Sequence, residues 1–190
     1  MTAVAIVSDA RPPPEDMVTR REGAEGFTVL YREQVDGVWA LLTRLLGPVA
    51  DREDVLQQVF LQVHQALPRF RGDASVATFV RRIAVHVAVD HLRGRGRRMV
   101  PTDPTTMDDL IDPGATPAAW ASARQGLTAL FTMLAEVDAD KRVAFVLTAI
   151  EGLSMRDAAA LVGASPDAVK QRALAARRSI AARLAERNER

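Results

Sequence analysis

Between Asp167 and Arg178, the residues Gln171, Leu174, Ala175 and Arg178 recur at intervals that place them on one side of a helix, with Lys170 and Arg177 beside them. An amide can read a base edge, an aliphatic side chain can meet a thymine methyl, and flanking cations can meet phosphates. This is the chemistry of a helix that enters the major groove N-terminus first. A second concentration lies upstream. From Arg69 to Arg98 eight arginines stand against two aspartates, a net of +6, with Phe70 and Phe79 among them. Rings for stacking and cations for phosphates are what a strand with unstacked bases requires. Between the two lies an acidic stretch: Met99 to Asp140 has seven acids against Arg124 alone, while Ser165 to Arg187 returns to a net of +4. The net charge of +1 over 190 residues hides this segregation. Two basic blocks on distinct helical units point to a polyanion partner.

Other chemistries fare poorly. The chain has no cysteine, which removes disulfides, thiolate nucleophiles and Cys-based zinc sites, and suits a reducing compartment. There is no Walker loop, no GxGxxG and no HExxH. His86 and His91 are five apart and so on different helix faces; both are expected at the surface or facing a groove, and His64 at an exposed helix position. The pair Asp108-Asp109 sits among prolines, where solvated charge is expected. The sequence therefore predicts no catalytic residue, no metal and no cofactor. No apolar run approaches the roughly 18 residues of a membrane span. Met1 to Pro14 lacks the basic start of a signal peptide. A cytoplasmic protein without membrane insertion is expected.

The elements that must position these groups are helical. Aromatics are only 5%, and the apolar content is mostly Ala, Val and Leu. Residues 1–22, with Pro12 to Pro14, are expected to form a disordered leader. Phe27, Leu30, Tyr31, Val38, Leu41, Leu42 and Leu45 repeat at helical spacing until Gly47-Pro48. Asp51 restarts a helix whose stripe is Val55, Val59, Val63 and Leu67, and Pro68 closes it. After the turn Phe70-Arg71-Gly72-Asp73, a third helix turns Val76, Val80, Ile83, Ala84 and Val87 inward. Residues 99–117, with four prolines, read as an acidic linker. A second unit, 118–187, carries Leu127, Leu130, Phe131 and Leu134, then Val143, Val146, Leu147 and Ile150. The expected fold is all-α: two small helical domains, 23–98 and 118–187, joined by a flexible linker.

Glu151 to Leu184 is the most specific stretch. Ser154 can cap a short helix ending at Leu161, Gly163-Ala164 makes a tight turn, and Ser165 caps the next helix with Pro166 at its first position. This is a helix-turn-helix pattern, with Val169, Ala173, Ala176, Ile180 and Leu184 as the buried stripe of its second helix.

The run Glu151-Gly152-Leu153-Ser154, Ala158-Ala159, Val162-Gly163-Ala164-Ser165, Val169-Lys170-Gln171-Arg172 and Ala176-Arg177 resembles the fourth conserved region of bacterial RNA polymerase sigma factors. Asp51 to Phe60 resembles the polymerase-binding helix of their second region. Phe70 to Ser75, Thr78-Phe79, Arg82-Ile83-Ala84 and Asp90 to Arg93 resemble its promoter-melting part. Both regions in this order, on a short linker and without a third region, are similar to the extracytoplasmic-function group of the sigma-70 family.

The resemblance implies roles. Asp54, Gln57, Gln58 and Phe60 would bind the clamp coiled coil of the largest subunit of the RNA polymerase core. Phe70, Arg71, Asp73, Phe79, Arg82, His86, Arg93 and Arg97 would hold the melted −10 element, with Arg81, Arg95 and Arg98 as further cations. Lys170, Gln171, Arg172, Leu174, Arg177 and Arg178 would read the −35 element of promoter DNA. An anti-sigma factor is a further implied partner. Phe79 stands where the family usually has Trp, His86 where Asn is frequent, and Ala175 where Arg is frequent. Two alternatives stay open: a helix-turn-helix regulator of another type, and a sigma mimic that binds only an anti-sigma protein. The first would need a ligand pocket or receiver domain in place of the Arg-rich bundle; the second would be free to lose the DNA-facing cations that this chain mostly keeps.

Overall fold

The computed structural model describes residues 24–47, 51–95 and 110–188. Among them are seven α-helices and no strand: α1 (Ala24–Leu46), α2 (Arg52–Ala66), α3 (Val76–Arg95), α4 (Pro117–Ala135), α5 (Ala139–Phe145), α6 (Met155–Val162) and α7 (Pro166–Asn188). Residues 1–22, most of the expected linker, and Arg97 and Arg98 lie outside the described residues.

Helices α1, α2 and α3 pack pairwise into the first unit. Their apolar stripes meet in full burial at Leu30, Leu42, Leu45, Val59, Val63, Val80 and Ala84. Each Leu or Val so buried contributes about 1.5–3 kcal/mol. The buried guanidinium of Arg52 lies over the Trp39 ring, 3.8 Å from its centroid, so the start of α2 is tied to α1. Asp51 precedes that helix without a side-chain cap bond. Its carboxylate instead lies 3.2 Å from His91 Nε2 on α3. His91 is thus not the surface or groove-facing group expected: it is one turn beyond Val87, on the inward edge that meets α2.

In the second unit two short helices, α5 and α6, stand between the longer α4 and α7, and each helix start is fixed by a local cap. Thr116 accepts from the Ala119 N–H, Ser154 from Asp157, and Ser165 from Ala168, with Pro166 at the first helical position. Gly163, at φ 65°, is the left-handed stop after α6. Beyond α5 the chain widens into a π turn over Val146–Ile150, closed by the Glu151 N–H to Val146 C=O bond at 2.9 Å. Helix α7 lies against α5 and α6, with Val169, Ala173, Ala176 and Ile180 buried. Leu184, expected on that stripe, is 43% exposed, because α7 runs on past the short helices that cover it. Arg142 of α5 is buried, and loss of hydration lowers its pKa to about 10, which leaves it charged at neutral pH.

The two units are not apart. Helix α3 packs against α5 and α6, and one apolar cluster runs through both units. Gly47, after α1, sits on this seam: at φ 71° and with an added Cβ only 2.7 Å from the Phe131 ring, the position has neither the backbone nor the room for a side chain.

Candidate nucleic-acid interface

Helix α3 collects the groups expected to meet a melted strand. At about 100° per residue Phe79, Arg82, His86 and Arg93 fall within about 60° of one another, a stripe about 20 Å long. At its N-terminal end the chain reverses at Gly72, where φ is 77°. Ser75 then caps α3, accepting from the Thr78 N–H at 3.1 Å. This turn sets the Phe70 ring against Phe79, centroids 4.6 Å apart and tilted by 38°. Arg71, Asp73 and Arg82 are exposed around the two half-buried rings. Together with Ala66, Arg69 and Ala74 they line an open depression of ≈ 290 Å³.

The C-terminal end of the stripe meets the second unit. His86 and Arg93 line a crevice of ≈ 310 Å³ with Asp90, Asp140, Gly163 and Arg172. Arg93 Nη2 donates to Asp140 Oδ1 at 2.7 Å, and Arg172 Nη2 lies 3.5 Å from the other oxygen. Arg81, expected among the strand-holding cations, is one residue off the stripe. It donates to Glu151 Oε2 at 2.9 Å, while Arg44 donates to Oε1. Glu151 and Asp140 were not expected as interacting groups, and no local spacing marks them: their partners lie 32 to 107 residues away.

On α2, Asp54, Gln57 and Gln58 form an exposed polar face. Phe60 is 4% exposed and lies beneath it, its ring 4.5 Å from Tyr31 and 6.5 Å from Phe27. Phe60 therefore positions the helix rather than presenting a contact. His64 is exposed, as expected, and meets the edge of Phe27. Leu61, one turn beyond Gln57, is 52% exposed and extends the face. A leucine at the i+4 position of a polar stripe was the signal that could have identified it.

On α7, Lys170, Gln171, Leu174, Arg177 and Arg178 are exposed on the side away from the buried stripe. Arg172 is half-buried and turned to Asp140, and Ala175 is half-buried between the two faces. Among the described residues no group of three His, Cys, Asp or Glu is arranged to hold a metal ion. No described helix is long and apolar enough to cross a membrane.

Comparison with known proteins agrees with this layout. Residues 30–98 match the family model Sigma-70 region 2, and residues 127–180 match Sigma-70, region 4. The chain is 33% identical over 145 residues to the ECF RNA polymerase sigma factor SigC of Mycobacterium tuberculosis, covering 76% of each. It is 28% identical over 163 residues to the ECF RNA polymerase sigma-E factor of Escherichia coli K12, covering 82% of this chain and 85% of that one. Among solved structures it resembles CnrH in complex with the cytosolic domain of CnrY, with a TM-score of 0.60, 24% identity and coverage of 90% and 96%. It also resembles RpoE bound to the anti-sigma factor NepR from Bartonella quintana, with a TM-score of 0.56, 19% identity and coverage of 83% and 95%.

Proposed function

The chain belongs to the sigma-70 family, in its extracytoplasmic-function group of RNA polymerase sigma factors, and from this premise we propose how its residues divide the work of starting transcription. As a sigma factor it directs the polymerase core to specific promoters. The exposed face of Asp54, Gln57, Gln58 and Leu61 docks on the clamp coiled coil of the largest subunit, with Phe60 holding the helix from beneath.

Opening the −10 element requires a base to leave its stack, at a cost of a few kcal/mol. Stacking on a ring returns about 1–3 kcal/mol per base. Phe79 and Phe70 offer those rings in a depression, and Arg71, Arg82, His86 and Arg93 lie along the path proposed for the strand's phosphates, with Arg97, outside the described residues, as a further cation. Asp73, at the rim, has acceptor oxygens for base amino groups. The second unit reads the −35 duplex with the N-terminal half of α7: Lys170, Gln171 and Leu174 toward base edges, and Arg172, Arg177 and Arg178 toward phosphates. The protein acts by binding, in the cytoplasm. An anti-sigma factor of the kind bound to the solved relative RpoE is the partner that would restrain it.

The observation that carries this reading is the stripe on α3, where an aromatic depression continues into a line of basic side chains. Purified protein is combined with polymerase core on a library of promoter DNA, and the transcripts are sequenced. A defined promoter class should emerge. The double variant Asp54→Arg, Gln57→Ala should lose core binding with its melting temperature nearly unchanged. Equal core affinity would overturn the assignment of that face.

A further inference from the structure

Helix α2, which carries the face assigned to the polymerase core, starts unlike the helices that follow it. Among the described residues α3 to α7 each begin on a side-chain cap, from Ser75, Thr116, Asp138, Ser154 and Ser165. Asp51 is of a type that caps well, yet it makes no such bond; its carboxylate lies 3.2 Å from His91 Nε2 on α3. The next residue, Arg52, is only 2% exposed and turns instead to α1, its guanidinium 3.8 Å from the centroid of the Trp39 ring. A cation at a helix N-terminus meets the positive end of the dipole, and burial strips it of water. An apolar side chain of similar volume would serve stability at least as well there. What the guanidinium adds is direction, since it holds one orientation over a ring face. We propose that Arg52 and Asp51 are positioning residues for core binding. Tethered to α1 on one side and α3 on the other, they fix the rotation of α2 about its axis, and with it the face of Asp54, Gln57, Gln58 and Leu61. This rests on the core-binding role given above to that face.

Rotation matters because the four side chains fall within about 100° of one another, and their tips stand about 5–6 Å from the helix axis. A turn of about 20° displaces such tips by about 2 Å, whereas hydrogen bonds need about 2.7–3.2 Å between donor and acceptor. Beneath the face Val55, Val59, Phe60 and Val63 are buried. Apolar contact is non-directional, so it does not by itself select one rotation. There is also room to roll. Asp54 and Gln58 share with Val87, Asp90 and His91 the lining of an open cleft of ≈ 320 Å³ between α2 and α3. The Asp51 contact spans the side of α2 that meets this cleft, and the Arg52 contact pulls the same turn toward α1. Asp54 and Gln57 lie in the first two turns of α2, next to both tethers, so the part of the face they form is the part most closely held.

The test measures the affinity of the full chain for polymerase core beside its melting temperature. Arg52→Met keeps an unbranched stem and removes the charge. In protein folded at the assay temperature it should weaken core binding about tenfold, and Arg52→Lys, which returns a cation to the Trp39 ring, should recover most of that loss. A residue that serves packing alone would lower the melting temperature and leave the affinity of the folded chain as it was. The second readout is coupling. Asp54→Ala should cost less core affinity in the Arg52→Met chain than in the native one, because its carboxylate is no longer delivered to the partner. Native core affinity in folded Arg52→Met, or additive losses in the pair, overturns the proposal. If Arg52→Met does not fold, Asp51→Ala takes its place, since that side chain caps nothing and its loss spares the helix start. Unaltered core affinity there overturns the proposal instead. The double variant Asp54→Arg, Gln57→Ala separates this from the functional reading. If it keeps core affinity, the face itself is wrongly assigned; if it loses binding while folded Arg52→Met does not, the positioning alone has failed.

Discussion

The two units solve different recognition problems with different building materials. The first has helices of 15 to 23 residues, a core of fully buried Leu and Val, and an aromatic depression on its surface. The second sets helices of only seven and eight residues between the longer α4 and α7, with Ala at many of its buried positions and a cap on nearly every helix start. A single strand has to be held from several sides, which requires a rigid hollow with rings. A duplex groove has to be entered, which requires a helix standing clear of its support. Small buried residues let α5, α6 and α7 approach closely, so a compact unit can present α7 with five exposed side chains, those proposed above to meet DNA. The comparison teaches that the first unit draws its precision from packing and the second from local chain geometry.

Packing should therefore give the largest effect. Leu42 is fully buried in the first unit, and Leu42→Ala should lower the unfolding free energy by about 2–5 kcal/mol in urea denaturation. The corresponding weakness of the second unit is the reverse. Ala176 is fully buried where α7 meets its neighbours, and Ala176→Leu should cost about 1–3 kcal/mol through overpacking. If Leu42→Ala proved the milder change, the contrast in construction would be broken.

A smaller effect is expected where the first unit meets a base. Phe79 is half-buried beside Phe70, and in the role proposed for it the ring stacks on an unpaired base. Phe79→Ala should reduce open-complex formation roughly tenfold or more, from a stacking loss of about 1–3 kcal/mol. A folded variant should recover on a template whose −10 region is already unpaired. No recovery there would assign Phe79 to packing alone.

The smallest and most selective effects belong to α7. Gln171→Ala should change which base is preferred, with a discrimination loss of about 1–3 kcal/mol if its amide contact is bidentate. Lys170→Ala should weaken binding to all sequences alike and reduce the salt slope by about 0.9 if it meets one phosphate. Fluorescence titrations of the full chain on −35 duplexes at several salt concentrations separate the two. Identical profiles for both variants would mean that this face does not read bases.

What the sequence determined by itself was everything carried by local periodicity and chain punctuation. The 3.6-residue recurrence of Leu and Val marked α1, α2 and α3. Ser154, Gly163, Ser165 and Pro166 fixed the helix-turn-helix, because caps and left-handed turns are decided within a few residues. Exposure of Lys170, Gln171 and Leu174 followed from the position of the buried stripe. Tertiary structure decided the rest. Phe60 lay on the edge of the apolar stripe, and only the placement of Phe27 and Tyr31 on α1 put it inside. His91 acquired Asp51 across two helices, and Leu184 lost its cover because its neighbours are short. The pairing of Glu151 with Arg44 and Arg81, and of Asp140 with Arg93 and Arg172, joins groups 32 to 107 residues apart. A charge on a helix surface has no period that names its partner. Coulomb attraction acts on whatever the packing of α3 against α5 and α6 brings near, and that packing is set by the apolar seam.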